Sequence, residues 1–135
     1  MKTDAMIRSP ERERAVERNM DLIRKVLLIV ESQAAMDGTA EFMMQADDDV
    51  FHGHSQEALD YHLRLLREAE FLTGNSHMML SVTRLTWDGD EFLDNIKDNE
   101  IWSKTKKRLS GLPSVALSIV AQVAQSEVKK HLGLP

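Results

Sequence analysis

The chain has 135 residues, a length that holds one domain or at most two. Apolar residues make up 42% and charged residues 29%, so a chain disordered throughout is excluded. There is no cysteine, which excludes disulfide frameworks, thiolate metal sites and thiol catalysis, and no apolar run is long enough to predict a membrane span.

Residues 1–18 read as an N-terminal extension, partly disordered or helical. Ser9, Pro10 and Glu11 form a helix-start signal within it: a capping hydroxyl, proline at the first helical position and an acid in the first turn. Residues 7–18 are mostly Arg and Glu, so no apolar signal core is read and a cytoplasmic location is expected. From Asn19 the pattern sharpens. Ile23, Val26, Leu27 and Val30 fall at i, i+3, i+4 and i+7, with Met20 and Leu22 beside them. This is the apolar stripe of a surface helix, predicted over about 19–35, with Gly38 as its left-handed stop.

Residues 39–54 leave two alternatives open: residues 40–44 form one helical turn or a short strand. The run Asp47, Asp48 and Asp49 opposes regular structure, and Val50 and Phe51 suit a short edge strand. Ser55 is a cap, and Leu59, His62, Leu63 and Leu66 mark one face of a helix predicted over 55–70. The turn cluster 73–76 lets residues 71–72 pair with 78–86 as a β-hairpin. Thr86 caps a further helix through Phe92, Leu93 and Ile96, in which Trp87 and Phe92 are expected to pack the core. Asp98 and Asn99 restart the chain on a second apolar line of Ile101, Trp102, Thr105 and Leu109. After the break at 111–114 a last helix is predicted over about 114–131. Its residues 115–124 are apolar nearly all round, so two sides need covering. One rests on the domain; the other is a candidate homodimer interface through Val115, Ile119, Val120 and Val123.

The order predicts a mainly α fold with a small β-hairpin, namely a winged helix-turn-helix plus C-terminal helices. The expected division is an extension over 1–18, a winged-helix-like domain over 19–98 and a C-terminal helical segment over 99–135. Charge divides the chain differently. Residues 1–102 carry 11 Lys/Arg against 21 Asp/Glu, a net of −10, while residues 103–135 carry 6 against 1, a net of +5. Any nucleic-acid contact is therefore local.

Two stretches carry a resemblance. In residues 54–72, Ser55-Gln56, Tyr61-His62-Leu63-Arg64-Leu65-Leu66 and Glu68-Ala69 resemble the recognition helix of winged-helix repressors of the arsenical-resistance type, with Glu70 where those proteins have glycine and Phe71 where they have leucine. The segment 19–25, Tyr61-His62-Leu63 and 85–94 together resemble an uncharacterised family of short bacterial and phage proteins, from about residue 19 onward. That resemblance implies a winged-helix-like core and a bacterial or phage setting, and nothing catalytic.

The expected function is DNA binding by a small transcriptional regulator. Ser55, Gln56 and Tyr61 would approach base edges, and Arg64, Arg67 and Arg84 would touch phosphate or bases. Lys104, Lys106, Lys107 and Arg108 would add backbone affinity. The residue 55–70 helix is nevertheless net −2, which opposes phosphate. The alternative is a winged-helix-shaped module that inhibits a host protein, with nucleic-acid mimicry as one version of it. No enzyme is expected, because phosphate loops, metalloprotease pairs and nucleophile elbows are missing from the sequence. Asp47, Asp48, Asp49, His52 and His54 supply metal-type ligands, but no second cluster matches them, so no metal or cofactor is expected.

Overall fold

Asn19 opens the first helix as its side chain accepts a hydrogen bond from Leu22 N–H at 3.0 Å. The helix, α1, runs Met20–Gln33 and buries Leu22, Ile23, Val26, Leu27 and Val30 on the predicted face. The computed structural model describes residues 17–34, 38–47, 49–74, 81–112 and 115–135. The helix-start signal at Ser9, residues 75–76 of the expected turn and residues 78–80 of the expected second hairpin flank lie outside these. α1 stops at Gln33, capped by Ala34 in extended geometry, and not at Gly38. Gly38 does take a left-handed φ of 71°, four residues beyond the cap.

Residues 39–54 take the strand alternative at one position. Phe42 forms an antiparallel bridge with Val82, exchanging two backbone hydrogen bonds of 2.9 Å. Val50 and Phe51 are not an edge strand. They belong to a 3-10 turn, Asp49–Phe51, that turns Phe51 into the core. Short i,i+3 bonding lets a three-residue piece bury one large ring without a pairing partner.

Ser55 caps α2, Gln56–Glu68, by accepting from Ala58 N–H at 3.0 Å. Leu59, His62, Leu63 and Leu66 are buried, as their spacing predicts. After α2 the chain turns at Glu70, the one non-glycine residue with positive φ (64°) among the described residues. The backbone thus takes the left-handed stop that glycine adopts freely, with a glutamate in its place. Strands β1, Leu72–Thr73, and β2, Arg84–Leu85, then pair antiparallel, Leu72 opposite Leu85 and Thr73 opposite Arg84. Val82 bonds to Phe42, whereas the next residue, Thr83, donates to Thr73 O at 2.8 Å. Successive backbone groups of an extended segment point to opposite edges, so residues 82–85, β2 and the two positions before it, meet Phe42 on one edge and β1 on the other.

Thr86 caps α3, Trp87–Ile96: its hydroxyl accepts from Gly89 N–H at 3.0 Å and donates to Glu70 O. Asp98 caps α4, Asn99–Leu109, accepting from Glu100 and Ile101 N–H at 2.9 Å. α5, Leu117–Leu132, ends on Gly133 in left-handed geometry. The fold is thus mainly helical with a small two-stranded antiparallel hairpin. Ile101, Trp102, Val120 and Ala124 belong to the same buried cluster as Leu27, Leu63 and Leu93. The C-terminal helices complete the core of the preceding helices instead of hanging beside it. Each fully buried leucine contributes roughly 1.5–3 kcal/mol by leaving water.

Candidate functional site

The α2 helix exposes one face beside the hairpin. Its inner face is spent on packing, and His62 shows how. The ring is 1% exposed, its Nδ1–H donates to Ala58 O at 2.7 Å, and its Nε2 accepts from Asn19 N–H at 2.8 Å. Burial lowers its pKa below the usual 6.5, against the raising effect of the Ala58 hydrogen bond. His62 is a packing residue with both nitrogens used.

On the outer face Ser55 and Arg64 are exposed and Tyr61 is half-buried, its ring edge-on to His62. Gln56 is exposed but its amide is occupied. Oε1 accepts from Ala46 N–H at 2.8 Å, and Nε2 donates to Asp60 at 2.9 Å and to Met44 O at 3.3 Å. It holds residues 44–46 against the helix start. Arg67 is half-buried and turned along the hairpin, with Nη2 donating to Gly74 O at 2.8 Å. Arg84 is exposed on β2, with Nη1 donating to Leu85 O at 2.8 Å.

The basic run in α4 is largely neutralised within the fold. Lys104 pairs with Glu100 at 3.3 Å, Lys106 with Asp21 at 3.0 Å and Arg108 with Glu127 at 2.9 Å. Lys107 is exposed and has no ion pair among the described residues. Asp21 also accepts from Trp102 Nε1 at 2.8 Å. Burial opposes its ionisation, but hydrogen bonds from Trp102 and Lys106 prevail and hold its pKa below the usual carboxylate value. Glu127 is buried, and the hydrogen bond from Arg108 lowers its pKa. Exposed Lys–Glu pairs such as Lys104–Glu100 contribute little to stability, but each still removes a cation from a surface that would meet phosphate.

Two expectations are corrected. Trp87 does not pack the core: it is 78% exposed, while Phe92 is buried against Phe71 with ring centroids 5.1 Å apart. As the first residue of α3, Trp87 points away from the face that Phe92, Leu93 and Ile96 bury. The core indole is Trp102, 4% exposed. Val120 has no exposed surface and cannot meet a partner, because it lies on the inward side of α5 with Ala124. Of the other α5 interface candidates, Ile119 is 42% exposed, and Val115 and Val123 are half-buried. Among the described residues no three histidines or carboxylates gather to hold a metal ion, and no helix is long and apolar enough to cross a membrane.

The comparisons with known proteins settle the family. Residues 17–116 match the model of the family described as hypothetical protein (DUF2513). The chain belongs to this family. An uncharacterized protein of Haemophilus influenzae is 32% identical over 123 residues, which cover 87% of this chain and 99% of that protein. No solved structure matches the chain.

The segments that carried the resemblance hold much of the framework. Asn19 caps α1, Arg24 binds the end of α3, His62 joins α2 to Asn19, and Thr86 starts α3. Sequence reasoning missed Arg24 and Asp21. Their signal was present, as polar residues one turn apart on a helix with an apolar stripe, but their partners are more than seventy residues away.

Proposed function

We propose that the chain is a small winged-helix DNA-binding protein, a transcriptional regulator of bacterial or phage origin that works in the cytoplasm. The observation that carries this reading is the pairing order: α1, the Phe42 bridge, the 3-10 turn, α2 and then the hairpin, with Phe42 and β1 on opposite edges of the extended segment 82–85. A winged helix needs this order to set a recognition helix beside a β-ribbon. Ser55 and Tyr61 on the open face of α2 read the groove, and Arg64 beside them and Arg84 on the hairpin meet phosphate. Gln56 and Arg67 serve the protein's own backbone in this arrangement, and Lys104, Lys106 and Arg108 serve its carboxylates. Ile119 and Val123 on the outer side of α5 give a second copy an apolar contact.

Polarisation titrations with duplex fragments at low salt test the reading. With Arg64 and Arg84 as the main phosphate contacts, binding falls with salt at a log–log slope of about −2, and Arg64→Ala lowers it to about −1. Binding that is absent at micromolar protein, or insensitive to salt, removes the reading.

The engaged lysines favour one second reading, a winged-helix-shaped module that binds a basic host protein. The α2 and α3 helices present Glu57, Glu68, Asp90 and Glu91 to solvent, and such a surface can occupy a groove made for nucleic acid. A host protein retained by the immobilised chain and displaced by duplex DNA supports this version. Retention unaffected by DNA counts against it.

A further inference from the structure

A cavity of about 220 Å³ lies between the start of α1, the end of α4 and the segment that leads into α5. Met20, Trp102, Leu109 and Leu112 give it an apolar lining, and the two charged residues on its wall, Arg18 and Lys106, are both cations. Among the described residues no carboxylate lines it, in a chain whose net charge is −5. Both cations keep open surface: Arg18 is exposed, and the Lys106 side chain is 47% exposed. Arg18 is fixed in place by Nη2, which donates to Val115 O and so ties the start of α1 to the segment before α5. The other N–H groups of its guanidinium have no partner among the described residues, and neither has its charge. Lys106 spends one N–H on Asp21 at 3.0 Å and has two more to donate.

An apolar lining that carries only positive charge complements an anion with an apolar body. Charge sets the head of that anion. Arg18 and Lys106 contribute two positive charges and Asp21, bonded to Lys106, one negative, so a single negative charge balances the site. Volume sets the body. At roughly 30 Å³ for each water-sized group, the cavity holds about seven of them. We propose that this cavity binds a medium-chain aliphatic carboxylate of the size of octanoate. Its carboxylate accepts from Arg18 and Lys106, and its chain lies along Met20, Leu109 and Leu112. A guanidinium can offer a carboxylate two parallel N–H groups, which favours this head over an alcohol of the same length. The site shares no residue with the proposed DNA contacts Ser55, Tyr61, Arg64 and Arg84, so either proposal can fail without the other.

Isothermal titration of the full chain with straight-chain carboxylates from butanoate to dodecanoate tests it. Octanoate binds once per chain. Affinity rises about fourfold with each added methylene as far as octanoate and then levels off, because the cavity is full. Octanol lacks the charge and octylamine reverses it; each binds about tenfold more weakly or worse. In nitrogen–proton NMR spectra the indole signal of Trp102 moves as octanoate saturates the chain, while that of Trp87, outside the cavity, stays in place. Arg18→Gln and Leu112→Asp alter exposed side chains, so both variants fold and melt close to the parent. Both lose about tenfold in octanoate affinity. The proposal is overturned by a lack of saturable binding at octanoate up to about 10 mM. Variants that bind as the parent does overturn it too, as does octanol binding as well as octanoate. Affinity that keeps rising through dodecanoate, with several molecules per chain, marks detergent-like association and overturns it. A chain that sediments as a dimer, dissociates on Arg18→Gln substitution and gives no heat with octanoate assigns the cavity to a second copy and likewise overturns it.

Discussion

The imidazole of His62 accepts a hydrogen bond from the backbone N–H of Asn19 across 43 residues of sequence, and Asn19 is the residue that caps α1. One ring therefore ties the middle of α2 to the start of α1. Asn19 N–H only donates and Ala58 O only accepts, so the ring is held neutral with its proton on Nδ1. Protonating Nε2 would set two donors against each other.

This bond makes stability fall in acid. Burial, opposed by the Ala58 hydrogen bond and aided by the charges of His54 and Arg18, lowers the folded pKa below 6.5. As pH falls below that value the unfolded chain takes up a proton that the folded chain refuses. The contribution is complete above the unfolded pKa and is lost as pH falls through the folded one. Urea denaturation at about pH 8 and about pH 5.5 should show lower stability at the acid end. His62→Gln should remove that part of the dependence, and His62→Ala should cost about 1–2 kcal/mol at neutral pH. Parallel pH profiles for parent and His62→Gln would show that His62 is not the group responsible.

Arg24 closes the far end of α3. Its Nε donates to Ile96 O at 2.8 Å, and Nη2 donates to Lys97 O and to Asn99 Oδ1 at 2.7 Å. A cation at a helix C-terminus is favourable in itself, but here the planar fork reaches three acceptors at once. Arg24→Lys keeps the charge and loses the fork, so it should destabilise nearly as much as Arg24→Ala, by about 1–2 kcal/mol. In thermal denaturation that is a drop of roughly 4–16 °C for a small domain. A lysine variant that melts with the parent would mean that charge alone suffices.

Gly89 is required by proximity. A Cβ built there would lie 2.2 Å from Phe71 O, which is backbone and cannot swing aside. Phe71 O also accepts from Thr86 N–H at 3.0 Å. Gly89→Ala should therefore push the start of α3 off the hairpin and cost about 2–3 kcal/mol. Equilibrium unfolding measures the loss, and amide exchange should rise first at residues 86–89. An alanine variant as stable as the parent would show that this approach is soft.

The helices were legible because burial follows spacing. Ile23, Val26, Leu27 and Val30, and again Leu59, His62, Leu63 and Leu66, lie inward as their periodicity predicts. Caps at Ser55 and Thr86 were equally local, each a side chain bonding a backbone N–H three positions on. The bridge between Phe42 and Val82 was not legible, because a single pair forty residues apart leaves no period behind. Trp87 was misplaced for a related reason: an aromatic at a helix start lies inside or outside according to the rotation of that helix against its neighbours, which its own sequence does not encode. The charged residues were least legible. Arg64, Lys106 and Arg108 look alike in sequence, yet Lys106 and Arg108 are held by Asp21 and Glu127 while Arg64 faces water.

By itself the sequence determined what short-range physics controls: which residues face inward along each helix, where helices begin, and that a ribbon follows α2. Tertiary structure alone decided which polar groups remained available. Availability depends on distances between residues far apart in the chain, and the cavity that joins Arg18 to Trp102, Lys106 and Leu112 exists only once α1, α4 and the segment before α5 have met.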